Sequence, residues 1–200
     1  MHHTPPRQLI LASTSVYRQQ LLARLRLPFT VFASQVDEMP LGHESPQQMA
    51  CRLALAKAQA VAALHPEAVV IGSDQVADLD GVPLGKPGHH ARAVAQLQTM
   101  GGKTVAFQTA VAVVCLATRF AQTDLAQVKV KFRKLSDAQI EAYLLAEVPY
   151  DCAGSAKSEG LGIALLERID SDDPTALIGL PLMRTCRLLE AAGLQVLGTC

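Results

Sequence analysis

Asp74 is the first candidate for chemistry, because it lies in Ile71-Gly-Ser-Asp-Gln-Val76 directly after the apolar, β-branched run Ala68-Val-Val-Ile71. Such a run predicts a strand covered on both faces, and open α/β sheets place reactive groups just beyond the ends of such strands. An Asp in that place also serves as a turn former or helix cap, so the rest of the chain must weigh the choice. Glu38 follows a second predicted strand, Phe29–Val36. If the two strands are neighbours, Glu38 and Asp74 converge as hard oxygen ligands suited to magnesium or manganese. Ser13-Thr-Ser-Val-Tyr-Arg18 falls between a predicted strand and a predicted helix. There, unpaired N–H groups and the positive end of the helix dipole favour an anion such as phosphate. The hydroxyls of Ser13 and Ser15 and the charge of Arg18 would reinforce that site; the same residues also fit an ordinary helix cap with a solvated arginine. Lys57 and Lys86 are commonplace one at a time, but Lys86 is held between Gly85 and Pro87. That stiff turn would bring its ammonium toward Asp74. Two lysines and an arginine around a triphosphate would offset its charge and stabilise a departing pyrophosphate.

The elements that must position these groups alternate between strand and helix. Leu9–Ala12 reads as a first strand and Tyr17–Leu27 as a helix with Leu21, Leu22 and Leu25 on one face. Ser45, Pro46 and Gln48 announce a long helix to about Leu64, with Ser45 as N-cap and Gln48 completing a capping box. This helix carries Arg52 and Lys57. Asp80-Gly81 between Val76–Leu79 and Val82–Leu84 is a hairpin signal that delivers Gly85-Lys-Pro87. His90–Met100 reads as a helix stopped by Gly101-Gly102, and Lys103–Leu116 and Gln127–Arg133 as antiparallel neighbours. Ser136 with Gln139 caps a helix to about Glu147; a short strand at Ile163–Leu166 and a closing helix at Leu182–Ala192 complete the reading.

Bulk properties exclude several classes. Two hundred residues, half of them hydrophobic, suffice for one well-cored domain spanning 1–200, and no repeat or linker divides it. The formal charge is zero, so no broad basic field exists to hold a nucleic acid polymer. Cys51, Cys115, Cys152, Cys186 and Cys200 are scattered, odd in number and free of any CxxC pair, against both a disulfide framework and a zinc site. That fits a reducing cytoplasm. No apolar run reaches membrane length, and no GxSxG elbow supports a serine hydrolase. The six histidines, mostly near the N-terminus or at His89-His90, are expected on solvated loops.

Taken together, the motifs resemble the Maf family of nucleoside triphosphate pyrophosphatases. Leu11-Ala-Ser-Thr-Ser-Val-Tyr-Arg18, Val36-Asp-Glu38, Arg52-Leu-Ala-Leu-Ala-Lys-Ala58, Gly72-Ser-Asp-Gln-Val76, Gly85-Lys-Pro87, Cys152-Ala-Gly-Ser-Ala-Lys-Ser-Glu-Gly160 and Leu177-Ile-Gly-Leu-Pro-Leu182 occur in family order across almost the whole chain. The Ser-Asp-Gln and Lys-Ser-Glu-Gly forms look like the branch acting on 7-methyl-GTP, whereas the dTTP/UTP branch typically carries Asp-Thr and Gln-Gly. The resemblance implies a Maf/inosine-triphosphatase-like α/β fold with a long mixed twisted sheet flanked by helices and an active cleft between two lobes. It also implies hydrolysis to nucleoside monophosphate and pyrophosphate with a divalent metal, Mg2+ or Mn2+, and a possible homodimer. Asp74 matches the family's proton acceptor; Ser13, Arg18, Glu38, Lys57 and Lys86 match its polar cleft residues. Tyr17, Gln75 and Glu159 fall on positions associated with base selection. Val16 departs from the usual Pro, and Tyr17 from the Trp that related sequences often carry.

The selectivity has a physical reading of its own. Methylation at N7 gives guanine a delocalised positive charge, which an aromatic face and a carboxylate together prefer over neutral guanine. Tyr17 and Glu159 supply that pair. Two rival readings remain at this point: a pyrophosphatase for dTTP, UTP or another modified nucleotide, and a nucleotide-binding regulator of division or septum formation that uses the same cleft without turnover. Against the regulator stands the combination of a base, metal-binding acids and leaving-group cations, which binding alone does not require.

Overall fold

The computed structural model describes residues 7–198; Cys200 and the N-terminal His2 and His3 lie outside them. Its frame is a mixed seven-stranded sheet. The strands are β1 (Leu9–Leu11), β2 (Phe29–Val31), β3 (Val69–Leu79), β4 (Val82–Leu84), β5 (Thr104–Cys115), β6 (Phe120–Phe132) and β7 (Leu166–Asp170). The helices are α1 (Val16–Ala23), α2 (Pro46–Leu64), α3 (His90–Met100), α4 (Asp137–Glu147) and α5 (Leu182–Ala191). Sheet order is β2-β1-β3-β5-β6-β7, with β4 also paired to β3. The expected α/β class and long mixed sheet are therefore present.

Alternation along β3 explains the layers. Val69 and Ile71 join Leu9, Leu11, Leu21, Leu22, Leu188 and Leu189 in a core beneath α1 and α5. Val70 and Val76 face the other way, into a core with Ala50, Ala54, Ala58 and Val61 of α2. Further along, Ala77 and Leu79 pack with Leu97, Phe107, Phe132, Ile140 and Leu144 under α3 and α4. Each fully buried Leu, Ile or Phe side chain contributes about 1.5–3 kcal/mol. The alanines at four-residue spacing let α2 approach the sheet closely, and Gly72 completes the fit: a Cβ there would stand 2.6 Å from Ala58 N and collide with Ala54 O.

Local signals and observed ends agree at several places. Ser45 and Gln48 form a reciprocal capping box on α2, and Ser136 and Gln139 do the same on α4. Asp80 and Gly81 both take positive φ, as the tight hairpin between β3 and β4 requires.

Five expectations are corrected. α1 stops at Ala23 rather than Leu27, and β6 begins at Phe120 rather than Gln127 because β5 pairs with it from there. β2 stops at Val31 rather than Val36, because β1 offers only three residues to pair with it. The segment Leu161–Leu165 is a 3-10 turn, and the strand follows at Leu166–Asp170, where β6 provides partners. β3 does not end before Asp74; it runs on to Leu79 because β5 pairs with it from Val70 to Asp78.

Candidate active site

The continuation of β3 creates the site. On one edge β1 pairs only with Val69–Ile71 and β4 only with Ala77–Leu79, so Gly72–Val76 has no strand beside it on that edge. A cleft of about 1100 Å³ opens there, lined among others by Ser13, Ser15, Tyr17, Arg18, Glu38, Lys57, Asp74, Gln75, Lys86 and Glu159. Every site residue expected from sequence thus faces one cavity. Because the gap is a sheet edge, side chains from both faces reach it.

Asp74 approaches from the α2 face. Lys57 Nζ stands 2.7 Å from Asp74 Oδ1 and 2.6 Å from Glu38 Oε1. The side chains of Lys57 and Asp74 are 7% and 10% exposed, whereas Glu38 is 55% exposed at the cleft side. A buried ammonium needs counter-ions, and here it bridges two. The two carboxylates therefore converge as expected, but by a different route: β1 lies between β2 and β3, so their strands are not neighbours, and Glu38 arrives on the irregular segment after β2. Arg52 tethers that segment through Glu44 and the Met39 carbonyl. Burial raises the Glu38 carboxyl, but the Lys57 hydrogen bond and the charges of Lys57, Lys86 and Arg18 outweigh it and hold the group below the usual carboxylate range.

The donor chemistry fits a hard divalent cation. Lys57 engages one oxygen of each acid, leaving the second oxygen of each outside that contact. Among the described residues no group of three or more His, Cys, Asp and Glu is placed as a metal cage. Magnesium commonly takes only one or two carboxylates and completes its sphere with water and substrate phosphates, a requirement with which this pair is compatible.

The Ser13–Arg18 loop caps the helix as one reading expected, but its arginine is not solvated. Ser15 is the N-cap of α1 and accepts a hydrogen bond from Arg18 N, while the loop's residues line the cleft. Arg18 Nε donates to the Gly179 carbonyl at 2.8 Å, which also accepts from Ser73 Oγ. Desolvation lowers the Arg18 pKa, opposed by the charges of Asp74 and Glu38. Gln75 rises from the opposite face to Asp74, and its Nε2 donates to Thr109 Oγ1 and to the carbonyls of Ala176 and Leu177. Its amide nitrogen is thereby committed to holding the 176–178 turn, which itself lines the cleft.

At the far wall, Tyr17 stands near Cys152, Asp151 and Lys157. Burial, then the neighbouring Cys152 and Asp151, push the Tyr17 phenol up to about 12, against the lowering effect of Lys157. Burial and Asp151 likewise push the Cys152 thiol up to about 12, so both groups are neutral near pH 7. Arg92 also lines the cleft, in the first turn of α3. A helix-surface arginine has no distinguishing pattern in sequence; its place goes with α3 lying against the Gly85 turn, where Gln96 Nε2 donates to the Gly85 carbonyl at 2.9 Å.

The Maf-like protein family model matches residues 8–192. The chain belongs to the Maf family. A protein of Albidiferax ferrireducens named 7-methyl-GTP pyrophosphatase is 73% identical to this Maf chain over 192 residues, 96% of each. A protein of the same name from a Polaromonas species is 68% identical over 190 residues, 95% of this chain and 87% of its own. One from Burkholderia pseudomallei, again so named, is 56% identical and covers 98% and 94%. Among solved structures, the Staphylococcus aureus Ham1 protein aligns with a TM-score of 0.46 at 13% identity, over 63% of this chain and 72% of that one. No helix among the described residues of the Maf chain is long and apolar enough to cross a membrane.

Proposed function

We propose that this Maf protein hydrolyses 7-methyl-GTP to 7-methyl-GMP and pyrophosphate. The observation that carries the reading is 73% identity, over 96% of both chains, to a protein named 7-methyl-GTP pyrophosphatase. The cleft supplies a means. Asp74, fixed at the cleft floor by Lys57, orients a water and accepts its proton as the oxygen attacks the α-phosphorus in line. The bond from that phosphorus to the bridging oxygen breaks, and pyrophosphate leaves with the electron pair. Arg18 and Lys86 line the cleft as cations for the phosphates. Lys57 serves the acids first: it bridges Asp74 and Glu38.

Glu38 and Asp74 would hold a divalent cation, Mg2+ or Mn2+, which when bound neutralises phosphate charge. Tyr17 offers an aromatic face to the base and Glu159, exposed on the cleft wall, a carboxylate. A cationic purine gains from both. We place the reaction in the cytoplasm, in keeping with cysteines that form no paired motif.

The test is pyrophosphate release from 7-methyl-GTP, GTP, dTTP, UTP and ITP with magnesium. Preference for 7-methyl-GTP supports the reading. Preference for another nucleotide keeps the hydrolysis and discards the base assignment, and binding without turnover returns the chain to the regulator class.

A further inference from the structure

Lys157 stands where a cationic base would be least welcome. Its Nζ lies 5.7 Å from the centroid of the Tyr17 ring, although Lys157 itself does not line the cleft. An unpaired ammonium there would repel a methylated guanine brought to the same ring. The lysine is not unpaired. Glu147, at the last residue of α4, places Oε1 2.6 Å from Lys157 Nζ and accepts the Leu161 N–H on Oε2 at 2.7 Å. The side chains are only 26% and 14% exposed. The carboxylate packs against Gly160, where a Cβ would stand 2.7 Å from Glu147 Oε2 as it is placed. From the same helix, Tyr143 Oη accepts the Lys157 N–H and donates to the Ser155 carbonyl, both at 3.1 Å. Two side chains of α4 therefore fix the position of one lysine against one ring.

We propose that Lys157 and Glu147 are a positioning pair behind the base subsite. Lys157 steadies the Tyr17 ring, and Glu147 cancels the lysine's charge so that the ring accepts a positively charged base. This rests on the reading that 7-methyl-GTP is the substrate. It adds Glu147, which does not itself line the cleft, as a determinant of selectivity that acts through two intermediaries, Lys157 and the Tyr17 ring.

The experiment compares kcat/KM for 7-methyl-GTP and GTP, in the full chain, for the unaltered enzyme and for Glu147→Gln, Lys157→Gln and the double variant. Glu147→Gln keeps an oxygen for the Leu161 N–H while exposing the lysine's charge. The 7-methyl-GTP to GTP ratio should fall on the order of threefold to tenfold, mainly through KM. Lys157→Gln should lower turnover of both nucleotides without lowering the ratio, and the double variant should restore the ratio to within about twofold of the unaltered enzyme. A merely structural pair would lower both nucleotides together. An unchanged ratio in Glu147→Gln, a comparable fall in Lys157→Gln, or no recovery in the double variant overturns the inference while leaving the substrate reading intact. An unaltered enzyme with no preference for 7-methyl-GTP overturns the substrate reading, and this inference with it.

Discussion

Lys57 and Asp74 meet at 2.7 Å across the seam between α2 and β3, and both side chains are nearly sealed from solvent. Asp74→Asn keeps the shape and an acceptor for the ammonium but removes the proton-accepting carboxylate. The expected loss in kcat is about 10²–10⁴-fold, with a thermal midpoint only a few degrees lower. Steady-state pyrophosphate release and a melting curve read the two effects separately. Undiminished turnover would strip Asp74 of its role.

Glu38 depends on the same ammonium. Burial raises its carboxyl, but the Lys57 hydrogen bond and charge, then Lys86 and Arg18, hold it below the ordinary range. A depressed carboxyl adds stability above its unfolded pKa and loses it as pH falls through the lower folded value. Lys57→Gln removes the leading cause of depression, so the Glu38 titration should move upward and its contribution should vanish at a higher pH. Carbon-detected NMR titration of the Glu38 carboxyl reads this directly; an unmoved midpoint contradicts the pairing.

Gly72 sets how near α2 comes to β3. Because a Cβ at this position meets backbone atoms of Ala54 and Ala58 rather than a flexible tip, Gly72→Ala must push the helix away. The cost is about 3 kcal/mol or more, and Lys57 is carried off Asp74 with the helix. Denaturant unfolding and kcat should fall together. Gly42→Ala is the control, since nothing stands within 4 Å of a Cβ there.

Chelation tests the two-carboxylate pair. Since the pair is two carboxylates, Glu38 and Asp74, with Lys57 between them, affinity for the free ion should be weak and turnover should vanish with excess EDTA. Added Mg2+ or Mn2+ should restore it, and Glu38→Gln should require more metal for half-maximal rate. Full activity in EDTA would end the metal assignment.

The sequence carries local instructions more plainly than distant ones. The capping boxes at Ser45 and Ser136 and the Asp80-Gly81 turn are legible because a side chain satisfies backbone groups within three residues. Asp74 reads as the end of a strand because the polar residues Ser73, Asp74 and Gln75 interrupt the apolar run, yet pairing with β5 carries the strand through them. Polar residues persist there because each has a partner: Ser73 bonds the Ala110 and Gly179 carbonyls, and Gln75 bonds the 176–178 turn. Those partners lie about a hundred residues on in the chain for the turn and for Gly179, so no local pattern announces them. The Lys57 bridge and the Glu147–Lys157 pair escape notice for the same reason. Motif order found the cleft residues; only the topology of β1, β3 and β4 explains why they share one edge.

Glu159 is the remaining test of base recognition, and it differs from Glu147 in lining the cleft itself. It is exposed on the Cys152–Gly160 loop and has no ion-pair partner among the described residues, whereas Glu147 on α4 already serves Lys157. Its charge is therefore available to a ligand. Glu159→Gln keeps the size and the hydrogen-bonding oxygen, so GTP should be turned over much as before. The favourable interaction with a cationic base should weaken, lowering the 7-methyl-GTP to GTP ratio by on the order of threefold to tenfold. Raising the salt concentration should narrow the difference between the two enzymes, because an exposed charge is screened within about a Debye length. A ratio that stays fixed at low salt would place Glu159 outside the base subsite and leave selectivity to the Tyr17 ring.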